Sequence, residues 1–219
     1  MWIMRPHRLG STLISAVASL CVCLSAGASS AAALPGAPPV AAESSSALPR
    51  TAPGARSLTV VTDLFAERLL VADKVAAAKY GTTTPIDDPV REKAILDDVA
   101  ARAVGLGLDP DTVTAVFRDQ IEANKLVQRG LYARWDAHPE ERPTERPDLV
   151  KEVRPVLDRI TTQLLSALQE TESSRAGASC APRLRVAAVW SAVDHRLDRL
   201  HGQGLVRASP SVCAPVVKP

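Results

Sequence analysis

Four segments of this chain carry polar side chains at helical spacing within otherwise apolar surroundings. They are residues 68–79, 88–92 and 124–128, and the isolated Arg154. Together they offer several cations, a carboxylate pair and two neutral amides. The sequence has no Ser-His-Asp order, no glycine-rich phosphate loop and no cluster of metal ligands. Such a set suits a small dianion whose reaction depends on positioning and electrostatic stabilisation rather than on a nucleophile.

The first segment contains two cations, Arg68 and Lys79, eleven positions apart. On a helix this separation is within about 20° of three full turns, so both lie on one stripe about 16 Å long. Ala72 and Val75 share the stripe, so the cations border an apolar face. The alternative is two solvated surface cations, because charged side chains usually face water.

The second segment places Asp88, Arg91 and Glu92 at positions i, i+3 and i+4 near a predicted helix start. Asp88 can cap this helix and Arg91 can pair with it locally, which is the structural alternative. An arginine held by a neighbouring aspartate can also present its remaining donors to a bound carboxylate.

The third segment holds Asn124 and Gln128, one helical turn apart, among apolar neighbours. Buried amides need hydrogen-bond partners, and either a ligand or another helix can supply them. The adjacent Lys125 points about 100° away from Asn124 on a helix, so we predict that it lies on the surface.

The elements that must position these residues are all predicted to be helical. Aromatic residues make up only 3% of the chain, and no run of alternating residues predicts a strand. Asp-Pro pairs at 88–89 and 109–110 are typical of helix starts. The fold class is therefore all-α. Apolar periodicity and end signals predict five helices, at residues 58–79, 89–104, 110–135, 148–173 and 181–205. A proline-rich loop at 138–147 separates the third helix from the fourth.

Residues 1–33 have the pattern of a secretory signal peptide. Arg5 and Arg8 precede an apolar run at 13–24 and a small-residue stretch at 25–33. The run is about half the length of a membrane-spanning helix, which disfavours the alternative of an uncleaved anchor. Residues 34–56, rich in Ala, Pro and Ser, are predicted to be a disordered leader.

Removal of the signal peptide would leave 24 basic and 24 acidic residues. This balance predicts no nucleic-acid partner and, after cleavage, no membrane partner. Two cysteines would remain, Cys180 and Cys213. In an oxidising compartment such a pair is predicted to form a disulfide. About 160 residues follow the leader, enough for one domain.

The ordered motifs resemble the active-site segments of all-helical chorismate mutases. The similar stretches are residues 67–79 (ERLLVADKVAAAK), 85–92 (PIDDPVRE) and 109–128 (DPDTVTAVFRDQIEANKLVQ). The resemblance extends over roughly residues 57–213. The signal peptide and the cysteine pair are typical of the exported, gamma subclass. The resemblance implies a helical bundle with a catalytic core at 57–147. The C-terminal helices at 148–219, joined by the disulfide, would belong to the same domain.

The resemblance also implies roles for individual residues. Arg68 and Arg91 match arginines that hold the substrate's carboxylates. Lys79 matches a lysine that donates to the ether oxygen and to a carboxylate. Gln128 matches the position that donates to the same ether oxygen from the other side. Arg154, placed beyond the proline-rich loop by a one-residue shift, matches the last carboxylate-binding arginine.

Three further residues complete the implied site. Glu92 matches the acid that accepts a hydrogen bond from the ring hydroxyl, and Asp88 resembles a supporting contact near that hydroxyl. Asn124 occupies a polar position that varies among family members. Lys79, Gln128 and Glu92 would be the catalytic residues among these.

The resemblance thus implies a secreted enzyme that rearranges chorismate to prephenate without cofactor or metal. It also implies a homodimer with an active site inside each chain. His195 and His201 lie on the last predicted helix without other ligands at usable spacing, which disfavours a metal role. The alternative function is a secreted helical binding module for another small carboxylate or a protein, without catalysis.

Overall fold

The computed structural model describes residues 58–213, and this part of the chain is helical with no strand. The predicted all-α class is confirmed. The predicted signal peptide and leader lie outside the described residues. The seven helices are α1 (Thr59–Lys79), α2 (Pro89–Gly105), α3 (Pro110–Ala137), α4 (Arg154–Glu170), α5 (Glu172–Ala176), α6 (Cys180–Asp194) and α7 (Arg199–Arg207).

Helix α1 is the central element of the bundle. It contacts α3, α4, α6 and α7, whereas α2 packs mainly against α3. Val61, Phe65, Leu69, Ala72 and Ala76 follow one another at helical spacing and are almost completely buried. This stripe places the polar positions of α1 at the edge of the core rather than in open solvent.

The capping hydrogen bonds confirm the predicted starts of α2 and α3. Asp88 accepts a hydrogen bond from the backbone N of Arg91 at 3.0 Å, and Asp109 accepts one from Thr112 N at 2.9 Å. A proline follows each aspartate at the first helical position, where no backbone donor is needed.

The fourth predicted helix, residues 148–173, differs from the observed one. The chain first makes a π-turn over Leu149–Val153, then forms α4, and a separate short α5 follows. Asp148 caps the π-turn by accepting from the backbone N of Val150 and of Lys151. At the other end, the Thr171 hydroxyl donates to the Ala167 carbonyl at 2.6 Å, a local bond that competes with helix continuation.

The prediction of one helix over 181–205 is wrong, because the chain breaks between α6 and α7. Arg196 has a φ of 51°, in the left-handed region that a non-glycine residue rarely adopts. Asp198 then caps α7 by accepting from the backbone N of His201 at 2.9 Å. The break turns α7 back so that it contacts both α1 and α3.

The predicted disulfide between Cys180 and Cys213 is confirmed. It joins the first residue of α6 to a 3₁₀ turn at Pro210–Cys213, with 5.8 Å between the Cα atoms. Closing a loop of this length stabilises a fold by about 3–4 kcal/mol in the chain-entropy model.

We therefore expect the double substitution Cys180→Ser, Cys213→Ser to lower the melting temperature by several degrees while leaving the polar segments in place. Peptide mapping of the native exported protein by mass spectrometry should show a linked Cys180–Cys213 peptide. Free thiols that alkylate in the native protein would contradict both the pairing and the oxidising compartment.

His201 fastens α7 to α1 through two carboxylates. Its Nε2 lies 2.9 Å from Asp73 of α1, and its Nδ1 lies 2.7 Å from Asp198. The ring is buried. The hydrogen bond with Asp73 raises the pKa of His201 from 6.5 to about 8; burial opposes this rise and Asp198 adds to it. Folding therefore favours the charged imidazolium.

The charged His201 side chain therefore contributes its full stabilisation below pH 6.5, and this contribution is lost as the pH rises through about 8. We expect the free energy of unfolding in denaturant to fall by up to about 2 kcal/mol between pH 6 and 9. His201→Gln should flatten this decline, whereas His138→Gln in the exposed loop should not. An equal decline in His201→Gln would show that another group is responsible.

No helix within residues 58–213 combines the length and the apolar character needed to span a membrane.

Candidate active site

A cavity of about 210 Å³ lies among α1, α2, α3 and the start of α4. All eight side chains predicted to form a site contribute to its wall, although they come from four separate segments. Apolar side chains, among them Val75, Ile95, Ile121 and Leu157, close the spaces between them. The eight residues are Arg68, Lys79, Asp88, Arg91, Glu92, Asn124, Gln128 and Arg154.

Arg68 is a buried cation of the cavity, with 8% exposure. Its Nη1 donates to the Thr161 hydroxyl of α4 at 3.0 Å, and its guanidinium lies 5.7 Å from the centre of the Phe117 ring. Burial lowers the pKa of Arg68 to about 10, partly opposed by the charge of Asp158. The side chain is therefore still charged at neutral pH and is held in one position.

Lys79 is the last residue of α1, at the opposite end of the cavity stripe. Its Nζ donates to the Pro85 carbonyl at 2.8 Å, which ties the connection before α2 to α1. Burial lowers the pKa of Lys79, and the charges of Asp88, Glu92 and Asp87 oppose that effect. One of the three ammonium protons is used by Pro85, so others are available to a ligand.

The first turn of α2 supplies a carboxylate and a cation. The Glu92 Oε1 accepts from the backbone N of Asp88 at 3.2 Å, which completes a reciprocal cap with the bond from Arg91 N to Asp88. The cap uses the backbone N of Arg91, not its guanidinium, so the anticipated Asp88–Arg91 ion pair is absent. Among residues 58–213 the guanidinium of Arg91 has no hydrogen bond or ion pair.

Arg154 reaches the cavity because of the π-turn that precedes α4. The backbone N of Arg154 donates to the Leu149 carbonyl, five residues earlier, instead of the four of an α-helix. This turn holds one residue more than an α-helical turn does. Its guanidinium, like that of Arg91, has no bonded partner in the described part of the chain.

Two amides of α3 face the cavity one turn apart. The Gln128 Nε2 donates to the Asn124 Oδ1 at 2.7 Å, while the Gln128 Oε1 is buried without a hydrogen-bond partner among the described residues. The Asn124 Nδ2 makes only a long contact, 3.5 Å, with the Arg68 carbonyl. A buried amide atom without a hydrogen-bond partner lowers stability, so a bound ligand that hydrogen-bonds to Gln128 would remove this penalty.

Lys125 lies in the cavity wall, and the prediction that it is a surface residue is wrong. It is only 8% exposed, and its Nζ lies 3.2–3.3 Å from both carboxylate oxygens of Glu92. Asp87 and Glu122 also pair with it. The neighbouring acids raise the pKa of Lys125 against the opposing effect of burial. The sequence signal was available in Asp87 and Glu92, two acids near the start of α2 that could attract a nearby cation.

The arrangement is suited to a compact dianion with one further hydrogen-bonding oxygen. Three arginines and Lys79 surround the cavity, and the two α2 carboxylates are on one side of it, where Lys125 balances Glu92. The donors are cations and amides, which bind carboxylates and ether oxygens rather than metal ions.

Lys125→Met should lower kcat/KM by about tenfold, because Glu92 loses the cation that fixes its position. Lys125→Arg should recover part of this loss. Lys93→Met is the matched control, since Lys93 is an exposed lysine of α2 whose ion pair in the described part of the chain is with Asp97. Steady-state kinetics of the three folded variants would measure the effect. A Lys125→Met protein as active as Lys93→Met would remove Lys125 from the site.

Comparisons with known proteins give a consistent result. Residues 60–129 match the family model described as chorismate mutase type II. Over 162 residues the chain is 35% identical to a secreted chorismate mutase of Mycobacterium tuberculosis, covering 74% of this chain and 81% of that protein. It is 32% identical to a secreted chorismate mutase of Mycolicibacterium smegmatis, covering 74% and 90% of the two chains.

The fold is also similar to a solved structure. The crystal structure of chorismate mutase from Burkholderia thailandensis aligns with a TM-score of 0.68 and 37% sequence identity. The alignment covers 71% of this chain and 98% of that chain.

Proposed function

The chain belongs to the chorismate mutase family, and from this premise we propose that the cavity binds chorismate and converts it to prephenate. The main support is that eight side chains from four distant segments line one cavity, whose cations suit a substrate with two carboxylates. The reaction needs no cofactor from this site, because the residues themselves supply every interaction it requires.

The chemistry is a unimolecular rearrangement. The carbon–oxygen bond of the ether breaks as a new carbon–carbon bond forms, and negative charge builds up on the ether oxygen. No proton is transferred and no covalent intermediate is formed. Catalysis then consists of holding the compact diaxial conformer and stabilising the developing charge.

The arginines bind the two carboxylates. Arg68 is pre-positioned by Thr161 at 3.0 Å, so its remaining donors keep a fixed direction. Arg91 and Arg154 have no bonded partners in the described residues and are available to a carboxylate. An arginine presents two parallel donors to a carboxylate, which fixes orientation as well as charge.

Lys79 and Gln128 serve the ether oxygen from opposite sides. In the structure Gln128 donates to Asn124 and leaves its Oε1 without a partner. A half-turn of the terminal amide exchanges Oε1 with Nε2, and an accompanying turn of Asn124 lets it donate to the exchanged oxygen. Gln128 then presents its N–H to the substrate while its oxygen accepts from Asn124, and the long contact of Asn124 with the Arg68 carbonyl is given up.

Glu92 accepts a hydrogen bond from the ring hydroxyl, with Lys125 fixing its carboxylate. Asp88 acts mainly by capping α2, which fixes the first turn of that helix at the cavity. Asn124 acts on the substrate through Gln128.

A rigid bicyclic ether dicarboxylate with the shape of the transition state distinguishes this enzyme from the alternative, a non-catalytic module that binds a carboxylate. An enzyme binds such an analogue at least about 10²-fold more tightly than its substrate or product. Calorimetric titration should show this preference over prephenate. Equal affinities, together with no turnover, would favour the binding module.

Export and dimerisation complete the proposal. Two of the relatives named above, from Mycobacterium tuberculosis and Mycolicibacterium smegmatis, are named as secreted, and the Cys180–Cys213 disulfide suits an oxidising compartment. We expect N-terminal sequencing of the exported protein to begin after a residue between 26 and 33. We also expect a homodimer in which each chain contains a complete cavity.

A further inference from the structure

Helix α6 carries an apolar stripe on its outer face. Val186, Val189, Trp190 and Val193 follow one another at i, i+3, i+4 and i+7, and each is 58–67% exposed. The opposite face of α6, including Leu184, Ala187 and Ser191, is buried. Single exposed apolar residues are ordinary, but a continuous stripe on a helix is typical of a surface that another helix covers.

Shallow grooves flank the stripe on both sides. One groove, of about 490 Å³, lies between α6 and the start of α1, and Val186 and Trp190 form its border. The other, of about 530 Å³, lies between α6 and α7, with Val189 and the exposed Val206 on its rim. The helix is therefore a ridge between two apolar depressions, a shape that accepts the ridges of a second helix.

The stripe is symmetric about the midpoint between Val189 and Trp190. An antiparallel second copy of α6, related by a two-fold axis through that midpoint, would bring Val186 opposite the second copy's Val193. The two Trp190 side chains would meet beside the axis. A two-fold contact buries the same patch on both chains, so a palindromic stripe is self-complementary.

Charges at the edge of the stripe agree with this pairing. At 100° per residue, Arg183 and Asp194 both lie about 60–80° to the same side of Val186. In the antiparallel pair, Arg183 and the second copy's Asp194 are offset by about 3 Å along the direction of the helix axes. The two-fold symmetry repeats this contact, so it occurs twice. Neither side chain has a hydrogen bond or ion pair among residues 58–213, so both are available.

We propose that a second copy of this chain docks on the α6 stripe through antiparallel, two-fold packing of α6 against α6. This inference rests on the proposed homodimer and assigns its interface to a surface distant in sequence from the cavity residues. Trp190 is the central apolar contact, and the Arg183–Asp194 pairs set the direction of the partner helix.

Sedimentation velocity over a range of concentrations tests the surface. The wild-type, disulfide-bonded mature protein should sediment as a dimer. Trp190→Lys should raise the dimer dissociation constant by about 100-fold or more, because it places two cations at the centre of the contact. Val104→Lys is the control, since Val104 is a valine of α2 with 67% exposure and lies off the stripe. It should leave the dimer unchanged.

A charge exchange tests the direction of the helices. Arg183→Glu should weaken the dimer about tenfold, since it puts like charges together at two places. Adding Asp194→Arg should restore nearly wild-type affinity. Circular dichroism would confirm that each variant is folded, and chorismate turnover would be measured in parallel.

The outcomes separate this surface from the other proposals. A dimeric Trp190→Lys protein, or a double charge exchange that restores nothing, overturns the α6 interface while the homodimer stands. A wild-type protein that is monomeric at every concentration overturns both. Turnover tests the catalytic proposal independently, because each chain contains its own cavity.

Discussion

Lys79→Ala should lower kcat by about 10²-fold or more, the size of effect seen when a donor to a developing oxyanion is removed. The Lys79 ammonium is the only cation proposed to contact the ether oxygen, and its interaction strengthens as negative charge accumulates there. Its one hydrogen bond among residues 58–213 is to the exposed Pro85 carbonyl, so stability should hardly change.

Lys74→Ala is the matched control, because Lys74 is an exposed lysine of the same helix. Steady-state kinetics with chorismate and thermal unfolding of both variants would separate catalysis from folding. A folded Lys79→Ala protein with wild-type kcat would remove the proposed mechanism.

Gln128→Glu should change a flat pH profile into one that declines as the pH rises. The wild-type amide donates at every pH, and Arg68, with a pKa of about 10, remains charged near neutrality. We expect kcat/KM to be nearly constant between roughly pH 5.5 and 8.5. The lowered pKa of Lys79 sets the alkaline limit, because activity is lost as that ammonium loses its proton.

A glutamate at position 128 donates to the ether oxygen only when it is protonated. Activity of Gln128→Glu should therefore be highest in acid and fall as the pH rises through the pKa of the new carboxyl group. Gln203→Glu, which adds a carboxylate on the exposed face of α7, should retain the flat profile. A steep wild-type decline near neutrality would mean that another titrating group controls the step.

Local signals in the sequence were sufficient to predict the helix positions of several residues that line the cavity. Asp-Pro pairs marked the starts of α2 and α3, and helical spacing placed Arg68 and Lys79 on one stripe that faces the cavity. Each of these depends on a few neighbouring residues, so no long-range information was needed. The residue types suggested that the four segments form one set, and the family resemblance assigned a role to each residue.

The errors arose where packing between helices decides the outcome. The angle of Lys125 on α3 was estimated correctly, but the position of α2, which brings Asp87 and Glu92 around it, cannot be read from one helix. The break before α7 depends on Arg196 adopting a left-handed conformation, a strain that the capping by Asp198 and the burial of His201 offset.

Helix α4 contributes more to the site than the sequence suggested. Besides Arg154 it supplies Thr161, which accepts a hydrogen bond from Arg68, and Leu157, which lines the cavity. The proposed catalytic core at 57–147 therefore lacks one wall of the cavity. The π-turn before Arg154 was not predicted from the sequence, since π-turns are rare and occur mostly as single turns within helices.

If the cavity acts as proposed, its own side chains alone convert chorismate to prephenate. The most direct measurement is depletion of chorismate by the purified mature protein, after dialysis against a chelator and with no added cofactor. We predict loss of chorismate at a rate proportional to protein, with an equimolar product of identical mass. Unchanged chorismate in the presence of folded, disulfide-bonded protein would contradict the account.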